Sequence, residues 1–152
     1  MAAVFGDWEE SYAFLPRLIL AMEVFNPGTI FSPRYQDEEI QPPVPSNKRP
    51  FKRLFWPFKP CIDGFPFRVP VIQVDGTFLT SKYKGVLLIA SGAYANRAVY
   101  PLAFAIIEGE NTDSYGWFFR QIQLHVTRQT NLTIISDRHA GIRAAILGLD
   151  PS

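Results

Sequence analysis

Two aspartates, each directly behind an apolar stretch rich in β-branched residues, are the residues of this sequence best suited to metal chemistry. Asp75 lies in "VIQVDGTFLT" and Asp137 in "NLTIISDRHA". If the two stretches form neighbouring parallel strands, both carboxylates lie at the same edge of the sheet. Adjacent carboxylates repel each other, and a hard divalent cation such as Mg²⁺ relieves that repulsion. The pair therefore predicts a metal site that could act on a phosphodiester.

A second interpretation gives both aspartates purely structural roles. In this interpretation Asp75 begins the turn "DGT", because aspartate before glycine is common in turns. Asp137 then caps the last helix, because aspartate is a favoured N-cap residue. The spacing along the chain leaves both interpretations open.

Hydrophobic periodicity predicts the elements that would position the two aspartates. Long apolar runs predict strands, and apolar residues three or four positions apart predict helices. The predicted strands are 69–74, 85–94, 98–107 and 131–136, and the predicted helices are 8–25, 111–126 and 139–149. Asn96 and Arg97 separate two apolar runs and predict a hairpin. The order predicts an α/β fold, with three antiparallel strands, a crossover helix and a fourth strand parallel to the first.

The segment 111–126 has the clearest helical pattern. Its apolar residues recur every three or four positions and predict one buried face. These residues are Tyr115, Phe118, Phe119, Ile122 and Val126. Thr112 or Asp113 is the predicted cap, and Trp117 is expected in the core.

Composition divides the chain into three parts. Residues 1–32 are predicted to be an N-terminal helical segment, 33–50 a proline-rich linker, and 51–152 the α/β domain. The stretch "FKRLFWPFKPCIDGF" at 51–65 has two interpretations. It either covers an edge of the sheet or presents a basic and aromatic surface to nucleic acid.

Charge and composition argue against several classes of protein. The formal net charge is +1, so bulk electrostatics give no reason to expect nucleic-acid binding. One cysteine, Cys61, and two histidines argue against a disulfide scaffold and a structural zinc site. The sequence has no run of about 18 apolar residues, and no membrane partner is expected.

Six segments, in a fixed order and spacing, carry a resemblance to a known family. They are "GDWEESYAFLPRLILAMEVFNPGTI", "FKRLFWPFKPCIDGF", "PVIQVDGTFLTSKYKGVLLIA", "PLAFAIIEGE", "WFFRQIQLHV" and "IISDRHAGI". Together they resemble the plant Mutator-like element (MULE) transposases and the related far-red-impaired-response type proteins. The resemblance implies a ribonuclease-H-like fold and a DDE-type transposase, which cuts DNA strands and joins a 3′ hydroxyl to target DNA.

The resemblance also implies a set of site residues and partners. Asp75 matches the first of the family's three metal-binding acids, and Asp137 matches the second. Mg²⁺ or Mn²⁺ is the implied cofactor, DNA at transposon ends and target sites is the implied partner, and the nucleus is the implied location. A second copy of the chain is a further partner to consider.

The third acid of the family, a glutamate on a later helix, has no counterpart in this sequence. The residues after Asp137 include Asp150 but no glutamate. Glu108 and Glu110 precede the second acid, so the resemblance gives them no role, and they are expected to end the third strand or to be solvated. The chain is therefore expected to be a partial transposase domain, truncated before the third acid and inactive. The alternative is a domesticated, non-catalytic protein that associates with DNA or transcription.

Four further residues near the two acids have alternative roles. Lys82 and Lys84 either contact DNA phosphates or lie in a solvated loop, and Arg138 carries the same ambiguity. His139 either positions a phosphate or a substrate water, or sits exposed on the first turn of the last helix.

The motif "VDGT" also resembles the first motif of haloacid-dehalogenase-like phosphatases. The nucleophile of those enzymes is an aspartate two residues before the aspartate of the motif. That position is Gln73 in this chain. Because an amide cannot act as a carboxylate nucleophile, this interpretation is rejected.

Overall fold

A computed structural model describes residues 8–35, 51–80, 82–96, 98–137 and 139–148. Within these ranges the chain forms helices, strands and one short 3-10 turn. The helices are α1 (Trp8–Phe25), α2 (Lys59–Gly64), α3 (Thr112–His125) and α4 (Ala140–Leu147). The strands are β1 (Ser32–Tyr35), β2 (Phe51–Pro57), β3 (Val69–Leu79), β4 (Gly85–Ala93), β5 (Val99–Ile107) and β6 (Thr133–Ser136), and the 3-10 turn is Phe65–Phe67.

The six described strands form one sheet in the order β1-β2-β5-β4-β3-β6. Every neighbouring pair is antiparallel except β3 and β6, which are parallel. The predicted arrangement of three antiparallel strands, a crossover helix and a parallel fourth strand is therefore confirmed for β3, β4, β5, α3 and β6. The sheet is larger than predicted, because β1 and β2 extend it beyond β5.

The two extra strands come from segments whose sequence does not favour a strand. Residues 33–35 of the predicted linker belong to β1, and its remaining residues, 36–50, lie outside the described ranges. Residues 51–57 form β2, which pairs with β5 and so covers its edge as a further strand. β2 contains two basic residues and a proline, and its strand conformation depends on tertiary pairing more than on local propensity.

Helices α3 and α4 pack against one face of the sheet. Alternate residues of β3 and β4 point to these helices and are buried, as expected for the two-residue repeat of a strand. The buried residues on this face include Ile72, Val74, Val86, Leu88 and Ala90. The predicted apolar face of α3 is also confirmed, since Tyr115, Phe118, Phe119, Ile122 and Val126 are all buried. Trp117 is buried as well.

Helix α3 begins with a reciprocal capping interaction. The Ser114 backbone N–H donates to Asn111 Oδ1 at 2.9 Å, and the Asn111 N–H donates to Ser114 Oγ at 3.2 Å. The cap is therefore Asn111 and not Thr112 or Asp113, so the predicted cap was wrong by one or two residues. Asparagine is as good an N-cap residue as aspartate, and Asp113 is used for another interaction.

That interaction is a charged cluster that ties the start of α3 to the sheet. Arg53 on β2 is fully buried. Its Nε donates to Glu108 Oε2 at 2.7 Å, and its Nη2 donates to Asp113 Oδ2 at 2.6 Å and to Glu108 Oε1. Its guanidinium carbon also lies 5.6 Å from the ring centroid of Trp117. We call Arg53, Glu108 and Asp113 the Arg53 cluster. Because Arg53 is buried in this cluster, it does not contribute to a surface that could contact nucleic acid.

The Arg53 cluster predicts a pH-dependent stability. Burial opposes ionisation of Glu108, but the hydrogen bond from Arg53, a backbone hydrogen bond and the charges of Arg53 and Lys52 together outweigh it and lower the pKa of Glu108. The hydrogen bond from Arg53 likewise lowers the pKa of Asp113. Because both pKa values are lower in the folded state, the stabilisation is complete above the unfolded values, about 3.9 to 4.3. It is lost as the pH falls through the folded values.

Urea denaturation at neutral pH and below about pH 4 measures this effect. The free energy of unfolding is expected to fall on acidification, and to fall less in Asp113→Asn, which lacks one of the two titrating groups. An equal fall in both proteins would contradict the assignment to this cluster.

Helix α1 is the longest described helix, with 18 residues. Apolar side chains on several sides of α1 are exposed, including Phe14, Leu20, Val24 and Phe25. Among the described helices, none combines the length and the apolar character needed to cross a bilayer.

Candidate active site

The parallel pairing of β3 and β6 brings the two aspartates to one edge of the sheet. The paired residues run from Val71 opposite Thr133 to Val74 opposite Ser136. One residue further along each chain are Asp75 and Asp137. Since neighbouring strands lie about 4.8 Å apart, the two backbones are side by side at this point.

The alternation of side chains along β3 puts Asp75 on the sheet face opposite α3. Val74 points to α3 and is buried, so Asp75 points to the opposite side, where it is exposed. Ser136 lies beside Val74 and is half-buried, and Asp137 after it is exposed. Val74 and Ser136 are directly opposite each other in the paired strands, so the register brings the backbones of Asp75 and Asp137 to the same edge of the sheet.

Asp75 does not lie just past the end of its strand, as the sequence predicted. β3 continues to Leu79, and Asp75 pairs with Ile89 of β4. The strand continues because β4 supplies backbone partners up to Gly85, although β6 ends at Ser136. Asp75 is therefore a strand residue that becomes accessible where its neighbour on one side ends, and it does not begin a turn.

Backbone N–H groups orient both carboxylates. Gly76 N donates to Asp75 Oδ1 at 2.9 Å, and His139 N donates to Asp137 Oδ1 at 3.3 Å. Among the described residues, neither aspartate forms an ion pair with a basic side chain. Carboxylates at one edge of the sheet that form no ion pair within the described part of the chain are available to a hard cation.

His139, and not Asp137, caps helix α4. The Gly141 N–H donates to His139 Nδ1 at 3.1 Å, and the imidazole ring lies 5.4 Å from the ring of Tyr115. His139 is half-buried, so it is not the exposed first-turn residue of one interpretation. Its Nδ1 accepts the capping hydrogen bond. His139 therefore has the helix-capping role that the second interpretation gave to Asp137.

Glu110 and Tyr115 flank the acidic edge on the α3 side, a position that no pattern in the sequence predicts. Gly76 faces this side, and a Cβ at Gly76 would lie 3.3 Å from Glu110 Oε1. Tyr115 is buried, and its hydroxyl donates to Glu110 Oε1 at 2.7 Å. Burial first, then the hydrogen bond to Glu110 and the charges of Glu110 and Asp137, raise the pKa of Tyr115. Glu110 is therefore held in place beside Gly76 and is not simply solvated.

Tyr115→Phe is expected to lower the free energy of unfolding by about 1–2 kcal/mol, because it removes a hydrogen bond to a partly buried carboxylate. Tyr100→Phe is the matched control. The buried Tyr100 hydroxyl has no hydrogen-bond partner within the described part of the chain, so its removal is expected to be neutral or stabilising. Chemical denaturation of both variants measures the difference, and equal losses would contradict the importance of the Tyr115–Glu110 bond.

The structure describes two of the three basic residues predicted to contact DNA. Lys82 and Lys84 are exposed in the connection between β3 and β4. The Lys82 Nζ lies 5.7 Å from the ring centroid of Tyr83. Arg138 lies outside the described residues.

The donor set at the acidic edge fits a hard divalent cation. Carboxylate oxygens are the preferred ligands of Mg²⁺ and similar ions, and the two aspartates are exposed and directly follow the paired residues Val74 and Ser136. Across the described ranges, no three His, Cys, Asp or Glu side chains are grouped closely enough to hold one metal ion. The described residues at this edge therefore include two candidate acidic ligands, Asp75 and Asp137.

The comparison with protein families gives one match to this region. A family model described as MULE transposase domain matches residues 71–149, slightly more than half of the chain. The matched segment starts in β3 and includes Asp75, Glu110 and Asp137. Searches of curated proteins and of solved structures found no match.

Proposed function

Because the chain belongs to the MULE transposase domain family, we propose that its acidic edge binds Mg²⁺ or Mn²⁺ for phosphodiester chemistry on DNA. The observation that carries this proposal is the parallel register of β3 and β6, which aligns Val74 and Ser136, the residues directly before Asp75 and Asp137. A transposase domain implies DNA as the partner. The nucleus is the corresponding proposed location, and a second copy of the chain is a proposed further partner.

The topology supports a ribonuclease-H-like fold for this domain. β3, β4 and β5 form an antiparallel meander, α3 crosses over the sheet, and β6 returns parallel to β3. With this fold, Asp75 and Asp137 are the first two acids of a DDE-type site.

The residues of this chain have defined roles in the proposed site. Asp75 and Asp137 would bind the ion, which supplies a Lewis acid that polarises the phosphoryl oxygens and lowers the pKa of bound water. Gly76 N–H and His139 N–H hold the two carboxylates in fixed orientations. The capping bond from Gly141 to His139 positions the loop that carries Asp137.

Isothermal titration calorimetry of the chain with Mn²⁺, against a sample in EDTA, tests the proposed site. Weak but saturable binding is expected, because two acidic ligands hold a cation less firmly than three. An absence of saturable binding would overturn the proposed metal site.

The same reasoning predicts that residues 1–152 do not carry out strand transfer. Incubation with terminal-repeat DNA and Mg²⁺ or Mn²⁺ tests this, and robust cleavage would contradict it.

A second candidate function is a domesticated protein that associates with DNA or transcription without catalysis. This function is favoured because the described residues contain no group of three acidic side chains that could hold a catalytic metal ion. In this case Asp75→Asn and Asp137→Asn leave DNA association unchanged, and a metal-dependent loss of association in these variants would exclude it.

A further inference from the structure

A groove lies between α1, the start of β2 and the β3–β4 connection, on the sheet face opposite α3. Its volume is about 500 Å³, which is within the range of small-molecule sites. Its main lining residues are Tyr12, Phe51, Lys52, Tyr83, Lys84 and Ile106. We call these six residues the lysine–tyrosine groove.

The walls of the groove combine aromatic rings with lysine ammonium groups. Tyr12 on α1 packs edge to face against Tyr83, with ring centroids 5.0 Å apart. Both lie beside Lys84, which is exposed, and Lys52, which is half-buried. Flat rings next to cations are the surface on which nucleic-acid bases stack while their phosphates are bound.

The charges around the groove favour an anionic occupant. Glu108 also lines it, but both oxygens of its carboxylate accept hydrogen bonds from Arg53. Arg53 is the ion-pair partner of both acids of the Arg53 cluster, and Lys52 is the smallest of the causes that lower the pKa of Glu108 and of Asp113. Lys84 adds a further positive charge, and none of the ion pairs among the described residues involves Lys52 or Lys84.

The groove opens on the same sheet face as the acidic edge. Asp75 pairs with Ile89, and Leu87, the next residue of β4 on that face, pairs with Ile106 in the groove floor. Going from Asp75 to Ile106 crosses two strand spacings and moves two residues along the strand direction. The two steps together correspond to about 12 Å. This distance is a few nucleotide steps of a single strand, each about 3.4 Å in a stacked conformation.

We propose that the lysine–tyrosine groove binds a single-stranded DNA segment, with a base against Tyr12 and Tyr83 and phosphates at Lys52 and Lys84. The choice of DNA as the polymer rests on the proposed function, whereas the groove is independent of the metal site. A strand in this groove leads along the sheet face toward Asp75 and Asp137.

Fluorescence anisotropy with a short fluorescein-labelled oligothymidine, in EDTA, tests the groove without the metal site. The full chain is expected to bind the oligonucleotide. Lys52→Ala combined with Lys84→Ala is expected to weaken binding by about tenfold or more, and to reduce the salt dependence, d log K/d log[salt], by about 1.4 for two lost phosphate contacts. Tyr12→Leu is expected to weaken binding by about tenfold through lost stacking.

Arg120→Ala combined with Arg128→Ala is the matched control, since it removes two exposed positive charges outside the groove. This control is expected to bind within about twofold of the unmodified chain. Equal losses in the two double variants, an unchanged affinity in Tyr12→Leu, or tighter binding of a duplex than of the single strand would each overturn the proposal. Because EDTA is present throughout, failure of metal binding at the acidic edge leaves these results interpretable.

Discussion

Replacing Arg53 with methionine is expected to lower the free energy of unfolding by about 3 kcal/mol. Removal of one partner of a buried ion pair leaves the other charge without compensation, which typically costs 3–5 kcal/mol. The lower end of that range applies because the side chains of Glu108 and Asp113 keep 37% and 75% of their exposure and remain partly hydrated. Methionine approximates the length of arginine, so the change tests the charge more than the volume.

The control for this variant is Lys59→Met. Lys59 forms an exposed ion pair with Asp63 four residues away on α2, and such pairs contribute about 0–1 kcal/mol. Urea denaturation should therefore show a large loss for Arg53→Met and a small one for Lys59→Met. Similar losses in the two variants would mean that burial of Arg53 does not determine its contribution.

The second large effect is expected at the acidic edge. Asp75→Asn and Asp137→Asn should each weaken Mn²⁺ binding by about tenfold or more, since even the outer partners of a metal site contribute 10- to 100-fold. In EDTA the same variants should unfold no more easily than the unmodified chain, because asparagine keeps the Oδ1 atom that accepts a backbone hydrogen bond at each position. This combination of lost cation binding and retained stability distinguishes a ligand from a structural residue.

Thermal unfolding with and without Mn²⁺ gives a second measurement of the same variants. A cation that binds only the folded state raises stability in proportion to RT ln(1 + [L]/Kd), so the shift should disappear in both variants. Glu23→Gln on α1 is the charge-matched control, as Glu23 is exposed and far along the chain from either acid. A shift that persists in Asp75→Asn and Asp137→Asn would place the cation elsewhere.

Local patterns were sufficient for the central part of the fold. Uninterrupted apolar runs identified β3, β4 and β5, and the spacing of Tyr115, Phe118 and Ile122 identified the buried face of α3. These predictions succeeded because each element buries its own apolar side chains. The spacing of apolar residues within one element therefore shows which of its side chains are buried.

Other features depend on pairing between distant segments. β2 carries Arg53 in a strand because β5 supplies its backbone partners and Glu108 and Asp113 supply its charges. The length of β3 beyond Asp75 depends on β4, and the position of Glu110 beside Gly76 depends on the Tyr115 hydroxyl. No residue next to these positions in the sequence indicates such contacts.

The amino-acid sequence by itself determined that two aspartates follow apolar, strand-forming stretches and that those stretches belong to an α/β sheet, because periodicity and residue type act over a few neighbouring positions. Only the tertiary structure decided that Asp75 lies within β3, that His139 is the helix cap and that Arg53 is a buried cation. Register, side-chain hydrogen bonds and burial depend on segments that are far apart in the chain. The contacts between these segments form, and stabilise the protein, only when the segments pack together.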